Sequence, residues 1–354
     1  MRKFAIALLP GDGIGQEVVP AARRVLEKAG DRHGLSFSFE EFDWGSEYYF
    51  RHGAMMPVDA LDRLRGFDAI LLGAVGHPDI PDHITLHGML LPIRRGFDQF
   101  ANVRPAYLFE GVESPLRHAT PGSIDMVVVR ENTEGEYAPI GGFVHHHFPD
   151  EVAVQTAVFT RHGCERIIRF AFELARRRNR KRRLTSVTKS NAQSYSMVLW
   201  DRVFLSVAAE YPDISTESLL VDTAAMNFVR RPESFDVVVA SNLFGDILSD
   251  LSAIVAGSIG LAPSANLDPS RRFPSLFEPV HGSAPDIAGK GVANPLAAIL
   301  SVVQLLEHVE APEAAASVER AVNEVLRTRQ SLPRDLGGNA STEQVTTAVL
   351  AALS

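Results

Sequence analysis

The sequence predicts an α/β fold. Short apolar runs of strand length alternate with amphipathic stretches of helix length, and several runs end in glycine or in a charged side chain. The alternation begins at once. Phe4 to Leu9 reads as a buried strand, Gly11 to Gly15 as a tight turn and Glu17 to Ala29 as an amphipathic helix. Ser36 to Asp43 and Ala69 to Leu72 read as further strands, with helical segments around Tyr48 to His52 and Val58 to Leu64. The glycine turn is spaced G-x-G-x-G, with Asp31 beyond it, whereas a dinucleotide fingerprint requires G-x-G-x-x-G. A strand-to-helix turn accounts for these glycines without a ligand.

Gly73-Ala74-Val75-Gly76 opens a loop, His77 to His83, at the carboxyl end of a strand, where α/β sheets place ligands. Arg94 lies on the helical run Leu86 to Arg95, Arg104 follows Phe100 to Val103, and Arg130 ends the strand Met126 to Val129. One such arginine is ordinarily a surface residue. Three on successive element ends suit a small dianion, because guanidinium forks match carboxylates bidentately.

Thr133 to Thr160 departs from the pattern. Gly141-Gly142, His145-His146-His147 and the alternating Val152, Val154, Thr156, Val158 predict a two-stranded excursion used for subunit contact. Adjacent histidines on a strand alternate faces, so the triplet is not expected to bind one zinc ion. Arg161 to Arg178 reads as a helix running into seven basic residues between Arg176 and Arg183. Nucleic-acid binding is the remote reading of that run. No aromatic is interleaved for base stacking, and cations are favoured at a helix C-terminus.

Leu184 to Thr188 and Ile214 to Val221 read as strands that present Lys189-Ser190-Asn191 and Asp222 at their ends. The apolar run Val237 to Ala240 leads into Asn242-Leu243-Phe244-Gly245-Asp246-Ile247-Leu248-Ser249-Asp250. On a helix, Asn242, Asp246 and Asp250 share one face. Stacked carboxylates repel, and a hard cation such as Mg²⁺ or Mn²⁺ would turn that repulsion into a site. The alternative is a solvated face with Asp246 favoured by the first-turn dipole. A loop, Pro263 to Pro274, then the stretch Glu278 to Asn294 and three helices close the chain.

Composition sets the outer limits. The 354 residues, 45% hydrophobic and 22% charged, suffice for one large or two medium domains with a sizeable core. A net charge of -8 argues against nucleic acid or an anionic membrane as the main partner. A single cysteine, Cys164, excludes an intrachain disulfide and fits a reducing compartment. Met1-Arg2-Lys3 before an apolar run superficially resembles a secretion signal. The run is short, however, and Pro10-Gly11-Asp12-Gly13 interrupts it, so cytoplasm is the expected location.

Taken in order, Leu9-Pro10-Gly11-Asp12-Gly13-Ile14-Gly15, Arg94 with Arg104, Arg130-Glu131-Asn132-Thr133-Glu134-Gly135, Lys189-Ser190-Asn191, Asn242 to Asp250, and Glu278 to Asn294 resemble the β-decarboxylating dehydrogenases. These act on isopropylmalate, isocitrate, homoisocitrate, tartrate or D-malate, and the resemblance spans almost the whole chain. It implies an α/β fold that is not Rossmann. One domain, 1–100 plus 252–354, would bind the cofactor. The other, 101–251, would carry substrate and dimer contacts and an arm at about 133–160. An intertwined homodimer with shared active sites is implied, with pairing into tetramers left open.

The same resemblance implies roles. Arg94, Arg104, Arg130, Asn191 and His87 would meet substrate. Asp222, Asp246 and Asp250 would hold Mg²⁺ or Mn²⁺, and K⁺ assists some members. Lys189 and Asp222 would reach the site from the partner subunit. Lys189 would take the hydroxyl proton of a 2-hydroxy acid, and Tyr137 would return a proton after CO₂ is lost. NAD would lie along Gly73, Val75, Gly76, Glu278, His281, Gly282, Ser283, Ala284, Asp286, Ile287 and Asn294. Asp286-Ile287 favours NAD, since a carboxylate accepts from a ribose 2′-OH and repels a 2′-phosphate; members using NADP carry a Lys-Tyr pair there.

Pro81-Asp82-His83-Ile84, followed by Phe97-Asp98-Gln99, is most similar to the tartrate/D-malate members, although these carry tryptophan where this chain has His87. A charge on His87 at low pH, or the lost bulk, would widen the substrate range. A 3-isopropylmalate or other 3-alkylmalate dehydrogenase is the nearest alternative.

Overall fold

The computed structural model describes residues 2–353. Two compact units form, the first from residues up to Asp125 and from Asp250 onward, the second from Met126–Ser249. The first opens with β1 (Arg2–Gly11), α1 (Gly15–His33), β2 (Leu35–Glu41), α2 (Ser46–His52), α3 (Ala60–Leu64) and β3 (Ala69–Ala74). After these come α4 (Asp82–Thr85), a π-helical turn at Leu86–Leu90, α5 (Leu91–Gly96) and β4 (Ala101–Tyr107). The second unit contains β5 (Asp125–Glu131), β6 (Gly141–Val144), β7 (Val152–Gln155), α6 (Arg161–Arg178), β8 (Arg183–Thr188) and α7 (Ser196–Ala208). It continues with β9 (Ser215–Leu220), α8 (Val221–Arg230), β10 (Val237–Ala240) and the start of α9 (Asn242–Val255). The first unit resumes with β11 (Pro263–Leu267), β12 (Ser275–Pro279), α10 (Leu296–His308), α11 (Pro312–Thr328) and α12 (Thr342–Ala352).

In the first unit the strand order is β2-β1-β3-β12-β11-β4. β1 pairs in parallel with β2 and β3, and β3 with β12. β11 lies antiparallel between β12 and β4. The apolar run of β1 is buried on both faces, as parallel strands covered by helices require. Its Ala7 and Leu9 join a core with Phe42, Trp44, Met55, Met89, Ile93 and Phe97, while α1, α10, α11 and α12 pack together. The second unit has the all-parallel order β5-β10-β8-β9, with Val238 opposite Val128 and Thr185. Sequence signals set the helix ends. Gly34, at φ 68°, closes α1, Thr160 accepts from the Gly163 N–H to open α6, and Ser341 with Gln344 forms a capping box on α12. Among the described residues no helix is long and apolar enough to cross a membrane.

Asp31 lies inside α1 and is exposed, in keeping with a glycine turn that is not a dinucleotide fingerprint. The structure differs from the sequence expectation in two places. The expected loop Pro263 to Pro274 begins with strand β11, and Ser275–Pro279 forms β12. Polar composition hid β11, whose buried Ser264 and Asn266 both accept from Asn102 Nδ2, at 2.8 and 3.0 Å. The histidine triplet is not on a strand. β6 stops at Val144, and the turn that follows holds His145 and His147 at φ 52° and 68°.

The basic run is engaged locally. Arg176 pairs with Asp213 at 2.6 Å, Arg178 with the buried Asp236 at 3.1 Å and Arg183 with Glu217 at 2.7 Å, while Lys181 Nζ donates to the Phe235 carbonyl at 2.8 Å. These contacts finish α6 and tie it to the strands beside it.

Candidate active site

Most of the expected site residues sit near the carboxyl end of a strand or in the loop or helix that follows, while Arg104 lies in the middle of β4. In the second unit, β5 delivers Arg130 beside the first turn of α9. Its guanidinium donates to Asn242 Oδ1 at 3.0 and 2.7 Å, and its Nη1 meets Asp246 Oδ1. Asp246 Oδ2 accepts from the Tyr137 hydroxyl at 2.7 Å. Burial, reinforced by the hydrogen bond to Asp246, pushes the Tyr137 phenol up to about 12, so it stays protonated through neutral pH. Arg130 and Asn242 are buried, whereas the Asp246 side chain is 32% exposed. The stripe Asn242, Asp246 thus begins in the core and emerges where a ligand has access. Gly245 is what admits Arg130, since a Cβ there would lie 2.6 Å from Arg130 Cβ.

A second hydrogen-bonded pair in this unit joins β8 to α8. Lys189 Nζ donates to Asp222 Oδ1 at 2.8 Å. That bond holds the Asp222 carboxyl below the usual carboxylate range, and with 56% of its side chain exposed it is ionised and accessible. Asn191 lies in the turn directly after Lys189.

In the first unit, Arg94 on α5 is buried and donates to Glu278 Oε1 at 2.8 Å; that same oxygen accepts from Asn266 Nδ2 at 2.7 Å. Arg94 Nε is buried with no hydrogen-bond partner. Such an orphan is costly unless a ligand completes it. Glu278, expected on the cofactor, therefore turns its carboxylate to Arg94. Arg104 on β4 is also buried; its Nη1 stands 3.5 Å from Asp250 Oδ1 and its Nε 3.4 Å from Ser264 Oγ. His87 lies within the π-helical turn, a feature frequent at functional sites. Desolvation of its ring, with Arg95 and His83 adding to it, lowers its pKa, so the charge expected at low pH moves to more acidic solution.

The expected cofactor residues also fall in the first unit, where three loops meet. Ile14 N–H donates to the Ser283 carbonyl at 2.9 Å, and Gly76 N–H to Asp12 Oδ2 at 2.8 Å. Gly13, at φ 55°, approaches Ser283 so closely that a Cβ would lie 2.0 Å from its carbonyl oxygen. Gly73 closes β3 with Ala74, and Val75 leads into Gly76. Beyond Ser283 the chain passes Ala284, at φ 41°, to the exposed Asp286 and then Ile287. Gly282 has open space where a Cβ would be. His281 Nδ1 lies 3.0 Å from the Gly282 carbonyl, while Nε2 is buried without a partner, and burial lowers its pKa. Asn294 Nδ2 donates to Asp335 at 2.9 Å and Asn294 Oδ1 accepts from Leu296 N–H, which seats the start of α10.

Two supporting residues escaped the sequence reading. Asp12 accepts from Ser46 N–H and Ser46 Oγ, both at 2.7 Å, besides Gly76, and so locks the glycine turn to α2 and to the loop after β3. Glu136 accepts from Ser241 Oγ at 2.7 Å and Leu243 N–H at 3.1 Å, placing a carboxylate at the N-terminus of α9. Asp12 stood within a motif already noticed. Glu136 meets residues more than a hundred positions away, and no local pattern announces that.

Chemically, the acidic positions Asp222, Asp246 and Asp250 offer oxygen donors alone, which suits a hard ion such as Mg²⁺ or Mn²⁺ rather than a thiolate-seeking one. The orphaned Arg94 Nε and His281 Nε2, with the open space at Gly282, fit sites that take anionic and nucleotide ligands.

The fold is that of a known class. It superposes on the crystal structure of isocitrate dehydrogenase from Methylococcus capsulatus with a TM-score of 0.89 and 38% sequence identity, covering 100% of this chain and 99% of that one. The sequence is 53% identical to a probable tartrate dehydrogenase/decarboxylase of Agrobacterium vitis, over 100% of this chain and 99% of the relative. It is 52% identical to the D-malate dehydrogenase (decarboxylating) of Escherichia coli K12, over 99% and 98%. The family model of isocitrate/isopropylmalate dehydrogenases matches residues 5–349. This chain belongs to the isocitrate/isopropylmalate dehydrogenase family.

Proposed function

We propose that this chain oxidises and decarboxylates a small 2-hydroxy diacid of the tartrate/D-malate type, using NAD and a divalent metal, Mg²⁺ or Mn²⁺. The observation that carries the reading is the cluster in which Asp246 joins Arg130 and Tyr137 on the first turns of α9. Full-length relatives named for tartrate and D-malate support the substrate class. Asp222, Asp246 and Asp250 would hold the metal. When bound, the metal supplies Lewis-acid polarisation of the hydroxyl and its neighbouring carboxylate, and NAD supplies the hydride acceptor.

The chain's own residues do the rest. Arg94, Arg104 and Arg130 hold substrate carboxylates, with Asn191 and His87 completing the pocket. Lys189, as the neutral amine, accepts the hydroxyl proton and becomes the ammonium, while Asp222 positions its nitrogen through their hydrogen bond. Tyr137, kept protonated, delivers a proton to the carbon that CO₂ leaves. Val75, Gly76, Gly282 to Ala284 and Asn294 line the NAD site, and Asp286 accepts from the adenosine ribose.

A homodimer with shared active sites goes with this reading. α7, α8 and α9 expose Val198, Leu205, Met226, Val229 and Ile247, and the arm exposes Phe143, Val144, Phe148, Val152 and Val154. Exposed apolar groups of this size mark interaction surfaces. Tetramers, a helper K⁺ and a cytoplasmic location belong to the same proposal.

The test is a substrate panel of D-malate, tartrate and 3-isopropylmalate with NAD and Mn²⁺, scored for both NADH and CO₂. D-malate or tartrate should give the highest kcat/KM. A preference for 3-isopropylmalate above about tenfold (~1.4 kcal/mol) would assign the chain to that substrate instead.

A further inference from the structure

We infer that the turn of the arm binds a borderline transition-metal ion, Zn²⁺ or its like, through His146, His147 and Glu151. This site stands apart from the acidic residues of α9 and shares no side chain with them. Neighbours on a strand point to opposite faces, but these residues are in a turn. With His145 and His147 both in the left-handed region, the rings of His146 and His147 come face to face, centroids 3.7 Å apart and tilted by 34°. Glu151, at the far side of the turn, closes the group. Its Oε1 lies 2.5 Å from His146 Nδ1 and its Oε2 accepts from His147 N–H at 3.1 Å. One ligand atom from each of the three residues lies within 4.8 Å of the others.

Ligand atoms around a tetrahedral zinc ion sit roughly 3.3 Å apart, given zinc–nitrogen bonds of about 2.0–2.1 Å. The three side chains are exposed and need only small rotations to close that gap. Two imidazoles with one carboxylate form a three-ligand set that leaves a fourth position for water. Imidazole nitrogen selects Zn²⁺, Ni²⁺ or Cu²⁺ over Mg²⁺, so the ion that suits the acidic residues is the wrong one here. His145, 2.6 Å from Asp150, stands beside the group, and Phe143 stacks on His146 at 4.4 Å. The physical gain is local. Among the described residues β6 and β7 are four-residue strands that pair with each other as a two-stranded sheet, a unit marginal in water, and a metal joining His146 to Glu151 ties its two strands across the turn.

The experiment uses the full chain stripped with a chelator, then titrated with Co²⁺ under saturating Mg²⁺ so that the acidic residues are occupied. One equivalent per chain should bind and produce the intense visible absorption of low-coordinate cobalt, and Zn²⁺ should displace it. His146→Ala and His147→Ala should each weaken binding at least tenfold while leaving Mg²⁺-supported turnover and the circular dichroism melt without metal unchanged. Glu151→Gln, which keeps the stacked rings, should also weaken it. Failure of the wild-type chain to bind Co²⁺ under Mg²⁺, or equal binding by all three variants, would overturn the site and leave the proposed activity untouched.

Discussion

The Tyr137 hydroxyl donates to Asp246 Oδ2 at 2.7 Å while the other oxygen of that carboxylate faces Arg130. One carboxylate therefore connects the proposed proton donor with the buried cation proposed to hold a substrate carboxylate. Removing the hydroxyl tests the first half of that link. Tyr137→Phe should lower the rate of CO₂-yielding turnover by ~10²–10⁴-fold, the usual contribution of a placed acid. A single-turnover burst of NADH should survive. Rapid-mixing absorbance with product analysis checks this, and equal loss of the burst and of turnover would contradict the role.

Gly245 sets up a contest between helix propensity and packing. Alanine in a helix is favoured over glycine by about 1 kcal/mol, but its Cβ would press on Arg130 Cβ and Cγ at 2.6 and 2.7 Å. Overpacking of this kind costs typically about 1–3 kcal/mol, so Gly245→Ala should be net destabilised in urea melts. It should also lose kcat/KM, because the backbone and side chain that must yield belong to Arg130. A variant more stable than the parent at full activity would refute the contact.

His308 ends α10, where a positive charge would be welcome, yet burial and then Arg271 push its pKa from 6.5 to about 4. The unfolded chain takes up this proton near pH 6.5 and the folded chain does not until about pH 4. The stability it contributes is therefore complete above pH 6.5 and is lost as the pH falls toward 4. The ceiling is about 3 kcal/mol at 1.36 kcal/mol per unit, less because the ring is partly solvated. His308→Gln should flatten the fall in stability between pH 7.5 and 5. Denaturant midpoints at the two pH values measure it, and parallel slopes would contradict it.

Asp286 is exposed at the end of the loop that starts at His281. If its carboxylate repels a 2′-phosphate, Asp286→Ala should raise the ratio of kcat/KM for NADP to that for NAD by at least about tenfold, roughly 1.4 kcal/mol. An unchanged ratio would move cofactor choice to other residues.

The apolar strands and the long amphipathic helices were legible because each carries its own period. β1, β3, β8 and β10 fall where their Val, Ile and Leu runs predict. β11 was not, since its buried Ser264 and Asn266 carry no apolar period and find partners for their side chains, Asn102 and Glu278, only on other strands. The site followed the same division. The stripe of Asn242 and Asp246 could be read from helical spacing, whereas their partner Arg130 arrives from a strand more than a hundred residues earlier. The histidine turn failed for a local reason. Alternation holds for extended backbone, and two positive φ angles replace it with convergence.

That Asp246, with Asp222 and Asp250, holds the divalent ion on which oxidation and decarboxylation depend is a proposal. Its most direct test is Asp246→Asn, a near-isosteric change that removes charge, followed by Mn²⁺ titration monitored by electron paramagnetic resonance alongside D-malate turnover. Weakened Mn²⁺ binding and a loss of at least ~100-fold in turnover, about 2.7 kcal/mol, are predicted. Wild-type turnover with undiminished Mn²⁺ affinity would contradict the account.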